Sequence, residues 1–464
     1  MSRTRGRILI AGTRRLAAGL VFWLAVLGAS GCRGQDTQHV TPYHVMPFIT
    51  PFGGSPFGER FFIGAWCSPP TSTTDPEVWR RFARAGVGMA VRPLEDSNDR
   101  ARNLATLALL DTLRAPDLPP GSVRLFARDD AVHPDETTRP GWRDRVRAVT
   151  EAYKAHASLA AYFLADEPRP GDFDRVAQVA AAFREFDSSH PAYVNLLPLR
   201  DQATVAEQEQ WRADATRLIK NGRLRLFSFA AYSQRPLGED ATFLLTLQNA
   251  ERVSRETGCP FATVLQFTGF GPLAPIPVAQ MNYLAAEAVA HGAIGIIWFT
   301  YWTPNPHEQG MWWKGGAVEY GGAPSARADT LQLTNTLART LAHEFQARWP
   351  AVGHFGGSWP RGAVLTNQRI PGLASTSGGP LTIADAPAAD SQVSGQGRRT
   401  WLVINRDRGN TRTFTLRFDQ AVGAEAVFRP LLAGATWQRL DSAARSIDVR
   451  LDPGESCLLG LVDR

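Results

Sequence analysis

Two periodicities alternate along the chain between residues 61 and 350. Short apolar runs are separated by longer stretches in which apolar positions recur every three to four residues. Eight runs read as strands, at 61–66, 88–92, 123–127, 161–165, 192–196, 224–229, 261–266 and 294–299. The helical rhythm predicts helices over 76–85, 101–114, 143–156, 173–186, 205–220, 241–256 and 278–290, with an eighth over 328–348 after a long loop. Val278, Met281, Ala285 and Val289 keep the spacing of a helix that packs one face on a sheet. Strands apolar on both faces belong to parallel sheets covered by helices. Eight strand–helix units over about 290 residues predict a (β/α)8 barrel. An open doubly wound sheet is the alternative, but FFIGAWCSPP after the first strand carries no Gly-rich phosphate turn.

Beyond residue 351 the helical period stops. Short runs at 362–366, 400–404, 413–418, 426–428, 447–451 and 456–461 alternate with turn residues, which predicts a small antiparallel β-sandwich. The Ser-, Ala-, Gly- and Pro-rich stretch 373–397 reads as a long surface loop within it.

The N-terminus has a different composition. Its first 31 residues hold Arg3, Arg5, Arg7, Arg14 and Arg15, no acid, and an apolar run over 16–29. That is a secretory signal, short for a membrane span. The run ends in Ala29-Ser30-Gly31-Cys32, which resembles a bacterial lipobox, so the resemblance makes Cys32 the lipidated first residue of the mature chain. Arg33, in place of an aspartate, points to the outer membrane or cell surface, with the bilayer as a partner. The expected division is a signal over 1–31, a Pro/Gly-rich tether over 32–60, the barrel over 61–350 and the sandwich over 351–464. Without the five signal arginines the formal charge falls from +6 to +1. No basic surface for nucleic acid is left. Cys67, Cys259 and Cys457 have no metal-ligand spacing and read as packing residues.

The chemistry concentrates where AYFLADEP ends the fourth run. In such a barrel the C-terminal strand ends form the active face, so Asp166 and Glu167 are candidate acids or bases, with Pro168 stopping further pairing. Capping of the next helix is the competing reading, since acids favour helix starts. The other strand ends supply Trp66, Arg92 with Glu95 and Asp96, Arg128 with Asp129 and Asp130, Asn195, Tyr232, Gln266, and Trp298 with Trp302. Aromatic faces cover the apolar faces of sugar rings, and Arg, Asn and Gln bond hydroxyls, so carbohydrate is the expected partner. The long aromatic loop 301–322 belongs to the same face. Neither metal nor nucleotide or flavin cofactor is expected, because no His cluster stands at the strand ends and no phosphate motif occurs.

Asp166-Glu167-Pro168, Tyr232 and the strand-eight tryptophans make the region 60–350 resemble the retaining glycoside hydrolases of the large (β/α)8 clan, which includes β-galactosidase-like and cellulase-like members. The resemblance implies that Glu167 is the acid/base at the end of strand four, with Asp166 in place of the clan's asparagine. Trp66, Arg92, Tyr232, Gln266, Trp298 and Trp302 would bind substrate. The seventh strand ends in Gln266, where the clan carries its nucleophilic glutamate. An amide cannot form a glycosyl-enzyme ester.

Three readings stay open. Another carboxylate is recruited, with Glu95, Asp129, Asp130, Glu308 or Glu319 available, or the substrate assists its own cleavage beside Glu167 and Asp166. In the third, the barrel binds glycans without chemistry.

Overall fold

The computed structural model describes residues 57, 61–93, 99–113, 122–200, 203–232, 241–306, 311–345, 350–356, 367–386, 399–419, 422–428, 438–439 and 445–463. Cys32, the expected signal and the tether as far as residue 56 lie outside the described residues, as do Glu95, Asp96, Glu308 and the run expected at 362–366.

Eight parallel strands close into a barrel in chain order. They are β1 (Phe62–Ser68), β2 (Met89–Pro93), β3 (Arg124–Ala127), β4 (Leu159–Asp166), β5 (Ala192–Leu196), β6 (Phe227–Ala231), β7 (Phe261–Gln266) and β8 (Gly295–Phe299). Helices α1 (Pro76–Arg84), α2 (Arg100–Thr112), α3 (Trp142–Tyr153), α4 (Phe173–Phe186), α5 (Val205–Gly222), α6 (Ala241–Thr257), α7 (Val278–Ala290) and α8 (Ala328–Phe345) follow the strands in turn. The sixth strand starts later than its apolar run. Arg223 ends α5 in the left-handed region at φ 51°, and the Leu224 N–H bonds back to the Ile219 carbonyl, so Leu224 closes a helix instead of opening a strand.

The barrel closes where β1 pairs with β8, from Phe62 against Gly295 to Ala65 against Trp298. Glycine at 295 is a packing requirement, because a Cβ there would stand 2.5 Å from the Phe62 ring. Phe62, Met89, Phe126, Phe163, Tyr193 and Val264 help to fill the interior as one apolar cluster. The interior is thus a packed core rather than a channel.

The C-terminal strands are β9 (Ala351–Phe355), β10 (Leu373–Ser377), β11 (Leu381–Ala386), β12 (Arg399–Asn405), β13 (Arg412–Phe418), β14 (Val422–Phe428), β15 (Gln438–Arg439), β16 (Ser446–Leu451) and β17 (Ser456–Asp463). They form sheets of order β10-β13-β16 and β15-β14-β17-β12-β11-β9. The loop expected over 373–397 is corrected in its first half, which supplies β10 and β11. The reason is packing on both faces. Ile383 joins Trp401 and Val403 in the core between the sheets, whereas Ala384 and Ala386 join the cluster that contains the barrel helices. Small side chains that read as loop composition let this sheet lie against α7.

Asn335 of α8 ties the barrel wall to its helices. Its Oδ1 accepts from Trp298 Nε1 at 2.7 Å, and its Nδ2 donates to the Ala85 carbonyl at 2.8 Å. Asn335→Ala leaves both buried partners unsatisfied and is expected to cost about 2–3 kcal/mol, read from the urea midpoint.

Candidate active site

The site is built by an irregularity in β4. Phe163 points into the barrel, while Tyr162, Leu164 and Ala165 belong to the outer core. The pairing with β5 slips between Phe163 and Ala165, so two successive residues face outward and Asp166 turns in to stand against Asn195. The backbone of Glu167 still bonds the Asn195 carbonyl at 2.8 Å, but its φ is 49°, in the left-handed region that a non-glycine residue rarely occupies. This bent exit overrides the alternation that would send neighbouring side chains to opposite faces. The charge of Asp166 therefore acts on the Glu167 carboxyl.

Asp166 is held from two sides. Asn195 Nδ2 donates to its Oδ1 at 3.0 Å, and Arg92 Nη1 lies 3.7 Å from its Oδ2. The Asn195 amide is oriented in turn by Ser228, whose hydroxyl donates to Oδ1 at 2.7 Å. Tyr193 completes the chain, its hydroxyl 2.6 Å from Ser228 Oγ. Because the serine proton is already committed to Asn195, Tyr193 is the donor. Glu167 has no such support: among the described residues, nothing hydrogen-bonds its carboxyl. Burial first, and then the charge of Asp166, push it up to about 6.

Tyr232, just after β6, lies within reach of these charges. Burial raises its phenol well above the ordinary value, and the Glu167 and Asp166 charges add to the effect. Its ring meets Phe299 at 5.0 Å and Phe270 at 5.4 Å, and Trp313 stacks on Phe270 at 5.2 Å. Trp66 joins the group through Phe163 and Phe299 at 5.4 and 6.3 Å. Arg128 lies over the Phe163 ring. An aromatic floor from β1, β4, β8 and the loops after β6, β7 and β8 thus adjoins the paired carboxyls.

The structure brings Asp166, Glu167, Arg92, Tyr232 and Trp66 together, with Trp66 almost wholly covered. The three other expected substrate-binding residues are committed to contacts within the protein. Trp298 is fully buried on the outer wall, bonded to Asn335, because β8 parity sends Ile297 and Phe299 inward. Trp302 packs into the β8–α8 loop and donates Nε1 to the Tyr320 carbonyl at 3.2 Å. Gln266 is wholly buried and braces the loop after β7, its Nε2 donating to the Ala274 carbonyl at 2.9 Å and the Thr268 carbonyl at 3.3 Å.

The remaining described carboxylates do not approach Glu167. Asp129 is committed to Arg100, Tyr153 and the backbone of Ala131. Asp130 lies exposed in the short helical turn that Asp129 caps, and Glu319 is exposed in the loop before α8. Ser228, Tyr193, Phe299, Phe270 and Trp313 were not expected at the site. Strand parity exposes Phe299, and Trp313 falls in the aromatic loop, but the pairing of β5 with β6 is needed to find Ser228.

A raised carboxyl favours the folded state while it is protonated. Glu167 therefore contributes nothing adverse below its unfolded value, and stability falls as pH rises through about 6. Glu167→Gln is expected to match the natural chain at pH 4 and to be more stable at pH 8, by about 1 kcal/mol after solvent screening. Urea unfolding at both pH values checks the sign.

No family model matches the sequence, and no curated protein matches it. Solved structures do match the fold. A protein described as a glycoside hydrolase superposes with a TM-score of 0.54 at 12% identity, covering 88% of this chain and 93% of that one. A glycoside hydrolase family 5 protein from Bacteroides vulgatus gives a TM-score of 0.54 at 12% identity, over 88% and 90% of the two chains. The chain has the (β/α)8 barrel fold found in these glycoside hydrolases, followed by a small β domain.

Proposed function

We propose that this chain is an exported, lipid-anchored glycosidase that cleaves O-glycosidic bonds with Glu167 as general acid. The observation that carries the reading is the Glu167 carboxyl, raised to about 6 beside a fixed Asp166 at the end of β4. A carboxyl in that range is still partly protonated near neutral pH. Glu167 gives its proton to the oxygen of the leaving sugar as the bond to the anomeric carbon breaks. It then takes a proton from the incoming water. The aromatic floor covers the apolar ring face, and Arg92, beside Asp166, supplies donors for a hydroxyl. The barrels with this fold described as glycoside hydrolases support the reading by analogy.

Among the described carboxylates only Asp166 acts on Glu167, and Gln266 supplies no nucleophile. This favours assistance by a group of the substrate itself, with Asp166 orienting that group, over recruitment of Asp129. A second reading, a glycan-binding protein without chemistry, draws support from the same Gln266.

Glu167→Gln is expected to lower hydrolysis of a cleavable glycoside by about 10²–10⁴-fold while glycan binding persists. Turnover like that of the natural chain would remove Glu167 from the chemistry. Trp313→Ala is expected to weaken retention on an immobilised glycan by about tenfold. No hydrolysis across a glycan panel, combined with that loss of retention, would establish the second reading. For the anchor, Cys32→Ala is expected to move the protein from the membrane fraction to the soluble fraction and to abolish incorporation of a labelled fatty acid, both read by fractionation and gel.

A further inference from the structure

The barrel–sandwich seam holds a second cluster of polar groups that the proposed chemistry does not use. Glu287 in the last turn of α7, His291 just after it, and His354 of β9 each bring one ligand-type atom to a common point, all within 4.8 Å of one another. His291 Nε2 lies 3.9 Å from Glu287 Oε2, and His354 Nε2 lies 4.0 Å from the same oxygen. Glu287 and His291 are fully buried, and His354 is 2% exposed. We propose that Glu287, His291 and His354 form a structural binding site for a divalent transition metal, zinc above all, that pins the sandwich to the barrel.

The donor set carries the choice of metal. Two imidazoles and one carboxylate suit zinc, whereas calcium and magnesium require oxygen ligands. Three atoms with these separations share a point about 2.5 Å from each, so a shift of a few tenths of an ångström gives the ~2.0–2.2 Å of zinc bonds. The surrounding contacts orient the ligands as an outer shell does. Glu251 Oε2 stands 3.3 Å from His291 Nδ1, which places the proton there and turns the lone pair of Nε2 inward. His291 Nε2 makes no hydrogen bond among the described residues. Thr382 of β11 donates to Glu287 Oε1 at 2.6 Å, leaving Oε2 as the atom shared by both histidines. Glu251 is itself bound by Arg255 at 2.6 Å, so a dication meets the negative charge of Glu287 and part of that of Glu251.

The site is remote from catalysis by topology. His291 ends α7, and three residues later the Ile294 N–H bonds the Phe261 carbonyl at the start of β7, whereas Glu167 lies at the opposite ends of the strands. The bond it adds is between units: α7 belongs to the barrel, and β9 and β11 belong to the six-stranded sheet.

The test uses the full mature chain, expressed with zinc in the medium, freed of loose metal by gel filtration and analysed by elemental mass spectrometry. About one zinc per chain is expected, and prolonged treatment with a strong chelator should remove it and lower Tm by several degrees. Zinc should restore Tm, and magnesium should not. Cobalt added to the stripped chain should give the visible absorption of a nitrogen- and oxygen-bound ion. His354→Asn should lose the metal. Should that variant fail to fold, the chelator and cobalt measurements on the natural sequence decide alone. Metal below about a tenth of an equivalent with a Tm indifferent to chelator and zinc would overturn the proposal. So would a folded His354→Asn that keeps its zinc.

Discussion

Closure of the parallel sheet between β1 and β8 constrains the rest of the chain, because every strand then has one face in a packed interior and the other under a helix. Phe62 over Gly295 makes that closure sterically possible. Once it is made, parity decides which residues reach the mouth. It sends Phe299 inward and Trp298 outward, although the tryptophan is the residue expected to meet a sugar.

The candidate site exists because one strand breaks that parity. A slip in the β4–β5 register and a left-handed Glu167 accompany two adjacent carboxyls within electrostatic reach. The pair is then made unequal by its surroundings. Asp166 has Asn195 and Arg92, whereas Glu167 has burial and a neighbouring negative charge. A carboxyl raised in this way has the property that general-acid chemistry near neutral pH requires. The backbone conformation at Glu167 costs of order 1 kcal/mol, and the Asn195–Ser228–Tyr193 chain and the continued backbone bond to Asn195 hold it in place.

The second domain obeys a related constraint. A sheet that packs on another sheet and on helices at the same time must be apolar on both faces, with small residues on one of them. Ala384 and Ala386 meet that demand, and the approach they permit brings the histidine and glutamate donors of α7 and β9 into one buried cluster.

Much of this organisation was legible in the sequence. Period and run length place eight strands and eight helices within a few residues of their observed limits, and AYFLADEP places the acids at the end of the fourth strand. β10 and β11 were not legible, because alanine, serine and threonine carry little strand signal until their packing partners are known. Gln266 was legible as a departure from the expected nucleophile, but its bonds to the loop backbone were not. Glu287 in the last turn of α7 and His291 just after it gain their third donor only when the fold brings up His354 of β9. Local pattern in the chain is therefore enough for the alternating strands and helices of the barrel and for the short strands that follow them, because both depend on residues close in sequence. Tertiary structure alone decided which side chains meet, because strand register, the bend at Glu167 and the seating of the sandwich arise from contacts between segments far apart in the chain.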